Sequence, residues 1–125
     1  MTRVLLMEDD HQARALLQHM LESLGLEVFA ATDGLEGLRL FRAHEIDVVV
    51  TDILMPEQEG LETIGELRRM NPDIKIVAIS GGGTLLDAED VLLHASRIGA
   101  QKTLEKPFSK ADLAAALSDW ITTGC

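Results

Sequence analysis

The sequence predicts an α/β fold, a (βα)₅ doubly wound parallel sheet formed as one domain over residues 1–125. Three observations carry this. Short apolar runs rich in β-branched residues alternate with amphipathic segments along the chain. Turn and cap residues stand at the junctions. The chain has 125 residues and is 46% hydrophobic, enough for one buried core and little room for a second.

The predicted strands cover residues 4–7, 28–31, 46–50 and 74–79, with a weaker fifth at 100–104. Runs this apolar, without polar alternation, suit strands buried on both faces. The first helix is read from Ala13, Leu16, Leu17, Met20, Leu21 and Leu24, which follow helical spacing and end at Gly25. Leu35, Leu38 and Phe41 mark a second helix. Leu61, Ile64, Leu67 and Met70 mark a third, stopped before Pro72. Ala88, Val91, Leu92, Ala95 and Ile98 mark a fourth, closed by Gly99. Leu113, Ala114, Leu117 and Ile121 mark a fifth. Start signals of the capping-box kind pair Asp9 with Gln12, Asp33 with Glu36, Thr84 with Asp87 and Ser109 with Asp112. Right-handed crossovers then give a sheet covered on both faces, with the flavodoxin-like strand order 2-1-3-4-5. In such sheets a site lies beyond the carboxyl ends of the strands, at the switch point between the first and third.

That rule selects the polar groups at the strand ends. Glu8, Asp9 and Asp10 follow the first strand, Asp52 the third, Ser80 the fourth and Lys106 the fifth. Glu8, Asp9 and Asp52 are expected within a few ångströms of one another, and like charges that close disfavour full ionisation unless a cation intervenes. Hard oxygen ligands with room for water suit Mg²⁺. A zinc site would need a His/Cys cluster, which is missing. Asp9 or Asp10 also caps the first helix, but capping does not account for Asp52. The glycines at 81–83 lack the Gly-Lys-Ser/Thr ending of a P-loop and read as a hinge or a plain loop. Lys106 can reach the acids and bind a phosphoryl oxygen as a point charge.

The formal net charge of −10 argues against direct binding of nucleic acid. The apolar run at residues 4–7 is too short for a signal peptide or a membrane span, so a cytoplasmic protein is expected. The single cysteine, Cys125, has no intrachain partner.

The acidic pair Glu8-Asp9, Thr51-Asp52 with Met55-Pro56 and Gly60, Ser80, and Lys106-Pro107-Phe108 together resemble bacterial two-component response-regulator receiver domains over nearly the whole chain. The resemblance implies that Asp52 is the phosphoacceptor. It implies that Glu8, Asp9, Asp52 and the Leu54 backbone carbonyl hold Mg²⁺. Ser80 is similar to the switch hydroxyl, Lys106 to the phosphoryl-binding lysine, and the Lys106–Pro107 bond is cis in such relatives. It further implies a histidine kinase or phosphotransfer protein as donor, and a phosphoacceptor role rather than an enzyme's. The face built from the fourth helix, fifth strand and fifth helix is expected to bind a downstream protein or a second copy, with Leu86 and Leu93 on its surface. Thr103 stands where many relatives carry Tyr or Phe, which sets this chain apart from receivers that switch with an aromatic ring. Relatives that lose their phosphoryl group quickly place polar side chains where this chain has Leu54 and Gly82.

Three other readings fit less well. A haloacid-dehalogenase-type phosphotransferase needs a second Asp two residues after the first, where Leu54 stands. A receiver within a larger regulator would continue into a linker; residues 121–125 are neither charged nor proline-rich, and a native end there would favour a stand-alone domain, but the sequence leaves both readings open. A pseudo-receiver would lack part of the acid, hydroxyl and lysine set.

Overall fold

The computed structural model describes residues 2–52, 59–80 and 99–120. In chain order these form β1 (Arg3–Met7), α1 (His11–Ser23), β2 (Glu27–Ala31), α2 (Gly34–Ala43), β3 (Val48–Asp52), α3 (Glu59–Met70), β4 (Lys75–Ser80), β5 (Lys102–Glu105) and a last helix, Lys110–Leu117. The expected fourth helix with its Thr84 start, Leu54, the glycines at 81–83, Leu86, Leu93 and Ile121 lie outside the described residues. All strand pairs are parallel, and the order is β2-β1-β3-β4-β5, as the sequence predicts.

The strands read as unbroken apolar runs because alternate residues enter two different cores. Leu5, Met7, Val49, Ile76 and Ala78 face one core, which takes Ile64 and Leu67 from α3 and Leu38 and Phe41 from α2. Val4, Leu6, Val48, Val50, Val77 and Ile79 face the other, with Leu17 and Leu21 of α1 and Leu113 and Leu117 of the last helix. β5 is an edge strand whose residues alternate half-buried and exposed, so its sequence signal is weaker.

Several expectations shift. β3 runs to Asp52 rather than ending at Val50, and β4 closes on Ser80. α1 is capped by Asp10, one of the two acids expected to cap it; its carboxylate accepts from Ala13 N at 2.8 Å, one residue after the Asp9–Gln12 box. Leu16 is 57% exposed and Leu35 76% exposed, so neither belongs to the core. A helix on a flat sheet buries a narrower stripe than the i, i+3, i+4 pattern allows. On α2 the inward face begins instead with Gly34 and Gly37. A Cβ on Gly37 would collide with Met7 Sδ and lie 2.8 Å from its Cγ, so glycine lets α2 approach β1. The other signals hold. Gly25 has φ +86 after α1, Asp33 caps α2, and Ser109 with Asp112 forms a reciprocal capping box.

Candidate functional site

The carboxyl edge of β1, β3 and β5 assembles three charged side chains. Glu8 follows β1 directly, Asp52 is the last residue of β3, and Lys106 follows β5. Lys106 Nζ donates to Glu8 Oε1 at 2.9 Å and to Asp52 Oδ2 at 3.0 Å. The two carboxylates are nearly inaccessible, with side chains 1% and 8% exposed, while Lys106 keeps 29%. The cation that two close acids require is therefore built into the chain.

The electrostatics follow from burial. Burial pushes the Glu8 carboxyl up from 4.5 to about 7, against the pull of the Lys106 bond, and the Asp52 charge adds to the rise. Burial pulls the Lys106 ammonium down, but its bonds to Glu8 and Asp52 outweigh that and leave it raised, so it stays charged at neutral pH. The Lys106–Pro107 peptide bond is cis.

Every polar group of Glu8 is engaged. Its N–H donates to Ala31 O at 3.1 Å, and its Oε2 accepts from Asp10 N at 3.2 Å. Its carbonyl accepts from Arg14 Nη1 at 3.1 Å. Asp9 is exposed, and its carboxylate stands outside the Lys106 bridge. Among the described residues no three acids, histidines or cysteines are grouped as a ready metal cage. The backbone of Ser80 lies at the same edge, in register with Glu105 of β5. Arg14 is absent from the motifs read in the sequence; the usable signal is a cation in the first turn of α1, where the helix dipole disfavours one.

A doubly wound α/β domain with an acid–lysine site at its switch point is thus defined by fold and geometry together. The chain belongs to the response-regulator receiver domains, whose family model, described as "Response regulator receiver domain", matches residues 4–118. It is 31% identical to the chemotaxis protein CheY of Thermotoga maritima over 117 residues, covering 93% of this chain and 94% of that one. It is also 31% identical to the transcriptional regulatory protein GlrR of Escherichia coli K12, over 93% of this chain but only 25% of GlrR, so it spans a quarter of that relative's length. Among solved structures it is similar to a response regulator receiver domain protein from Clostridium thermocellum. The TM-score is 0.86 at 30% identity, covering 97% of this chain and 94% of that one. The chain is a receiver domain of two-component signalling. No helix among the described residues is long and apolar enough to cross a membrane.

Proposed function

We propose that Asp52 accepts a phosphoryl group from a phosphohistidine on a histidine kinase or phosphotransfer protein. The observation that carries this is the Asp52 carboxylate at the end of β3, held 3.0 Å from a lysine that also holds Glu8. An Asp52 carboxylate oxygen attacks phosphorus, the phosphorus–nitrogen bond breaks, and the histidine leaves with the electron pair. Transfer needs alignment and neutralisation of the phosphoryl oxygens rather than covalent help from the protein. Lys106 already sits on Asp52 and is poised to move its donor to a phosphoryl oxygen. Ser80, closing β4 on the same edge, supplies a hydroxyl to another.

The acids fit Mg²⁺, which takes one or two carboxylates plus water and phosphate oxygens and does not require a closed protein cage. Glu8, Asp9 and Asp52, with the Leu54 carbonyl, would hold it, and it would neutralise charge on the transferred group. Glu8 and Asp52 bring hard oxygens to one place, and exposed Asp9 leaves the solvent side open.

The donor approaches along α1. An apolar cleft of about 490 Å³, lined by Ala13, Leu16, Leu17, Met20, Pro107 and Phe108, opens beside Lys106. Exposed Leu16 stands on its wall, where a partner would cover it. Output uses the other side of Lys106. There β5 exposes Thr103 and Glu105, and a cavity of about 400 Å³ lies between β5 and the Lys110–Leu117 helix. This face binds a downstream protein or a second copy. The domain acts as a cytoplasmic phosphoacceptor rather than as an enzyme with a separate substrate. Its net charge of −10 keeps it off nucleic acid.

Incubation with acetyl phosphate and Mg²⁺ tests the reading. The wild-type chain should gain one phosphoryl group and Asp52→Asn none. Equal labelling of both proteins would overturn the assignment.

A further inference from the structure

We infer that Arg14 is a positioning residue for the acidic edge, fixing the β1–α1 connection so that Glu8 and Asp9 are presented to a divalent cation. The inference rests on the phosphoacceptor reading of the site and adds a residue to it. Arg14 is the fourth residue of α1. Helical side chains lean toward the N-terminus, so an arginine here covers the turn before the helix. Its Nη1 donates to the Glu8 carbonyl at 3.1 Å and lies 3.5 Å from the Asp9 carbonyl. Its Nη2 lies 2.9 Å from His11 Nδ1, which steadies the other edge of the guanidinium.

A cation in the first turn opposes the helix dipole. Beyond the Asp10 cap, the first turn of α1 carries no acid to offset it. The placement is accounted for by the two carbonyls it reaches, which precede the helix. Only a planar fork spans two carbonyls and a ring nitrogen at once; a lysine ammonium would have to choose among them. With Asp10 N on Glu8 Oε2 and Glu8 N on Ala31 O, the Arg14 bond completes the restraint of residue 8. Among the described residues no hydrogen bond holds the exposed Asp9 carboxylate, so its direction there depends on its backbone, which Arg14 approaches.

Charge and positioning predict opposite results, which makes the inference testable. Were Arg14 only a nearby positive charge, its removal would tighten Mg²⁺ binding to the acids. As a positioning residue, its removal weakens binding, by roughly tenfold on the scale of other groups that orient metal ligands. The experiment titrates Mg²⁺ into the wild type, Arg14→Met and Arg14→Lys, following the amide signals of Glu8, Asp9 and Asp10 by NMR. Hydrogen exchange at Glu8 and Asp10 is measured on the same proteins without metal. Arg14→Met should bind Mg²⁺ several-fold more weakly and exchange faster at Glu8 and Asp10, with exchange at Leu5 and Val49 unchanged. Arg14→Lys, which keeps the charge and loses the fork, should recover less than half of the lost affinity. Unchanged or tighter binding in Arg14→Met overturns the inference while leaving the site reading intact. Absence of any Mg²⁺-dependent shift at residues 8–10 in the wild type overturns both.

Discussion

Glu8 is the residue at which burial and charge conflict most. It is almost fully enclosed, and its carboxyl is raised from 4.5 to about 7 by that burial, despite the bond from Lys106. The folded protein therefore holds a proton that the unfolded chain releases at lower pH. Its stabilising contribution is complete below about pH 4.5 and is lost as pH rises through about 7. The melting temperature of the metal-free protein should fall between pH 5 and pH 8, and Glu8→Gln, which cannot ionise, should flatten that fall. Parallel melting profiles for the two proteins would contradict this. The sequence announces the acids as a self-repelling cluster in need of a cation. It also offers Lys106 for the same edge. What it does not reveal is that Lys106 itself intervenes, because that depends on how far β5 carries the lysine toward β1 across the sheet.

Elements are set by where the helices touch the sheet. The periodic apolar positions of α1 and α2 announce the helices and overstate their buried faces, since Leu16 and Leu35 fall on the helical stripe and remain exposed. Leu16 is left for the cleft beside Lys106, and nothing in the structure accounts for Leu35. Gly37 has the reverse character: it breaks the apolar pattern but permits the closest approach. Gly37→Ala should destabilise the fold by about 1–3 kcal/mol, the usual cost of overpacking, measured by denaturant unfolding. Gly65→Ala is the control, because a Cβ there meets nothing within 4 Å. In a helix that change should be neutral or stabilising by up to about 1 kcal/mol. Equal effects at the two positions would refute the packing argument. Cap positions were legible to within one residue. That Asp10 rather than Asp9 is the cap matters, because it leaves the Asp9 carboxylate outside it.

The whole molecule is a sheet whose two buried faces serve its carboxyl edge. Strand order and edge were readable from the sequence because five apolar runs, short connections and handedness leave few topologies. Edge geometry was not, since a bond such as Lys106 to Glu8 joins residues 98 apart in sequence. At this scale the signal's lifetime is also set. Two residues beyond Asp52 in sequence stands Leu54, and two beyond Ser80 stands Gly82; neither residue type carries a polar side chain to orient an attacking water, so the acyl phosphate should be long-lived. Leu54→Asn combined with Gly82→Glu should speed its decay, followed by loss of label over time; an unchanged rate would remove the argument. The central claim is that the acid held by Lys106 at the end of β3 receives the phosphoryl group. Reductive trapping with borohydride tests it most directly, because an aspartyl phosphate is reduced to homoserine. After reaction with acetyl phosphate and Mg²⁺, peptide mapping should find that conversion at residue 52. Homoserine at another aspartate, with residue 52 unchanged, would contradict the account.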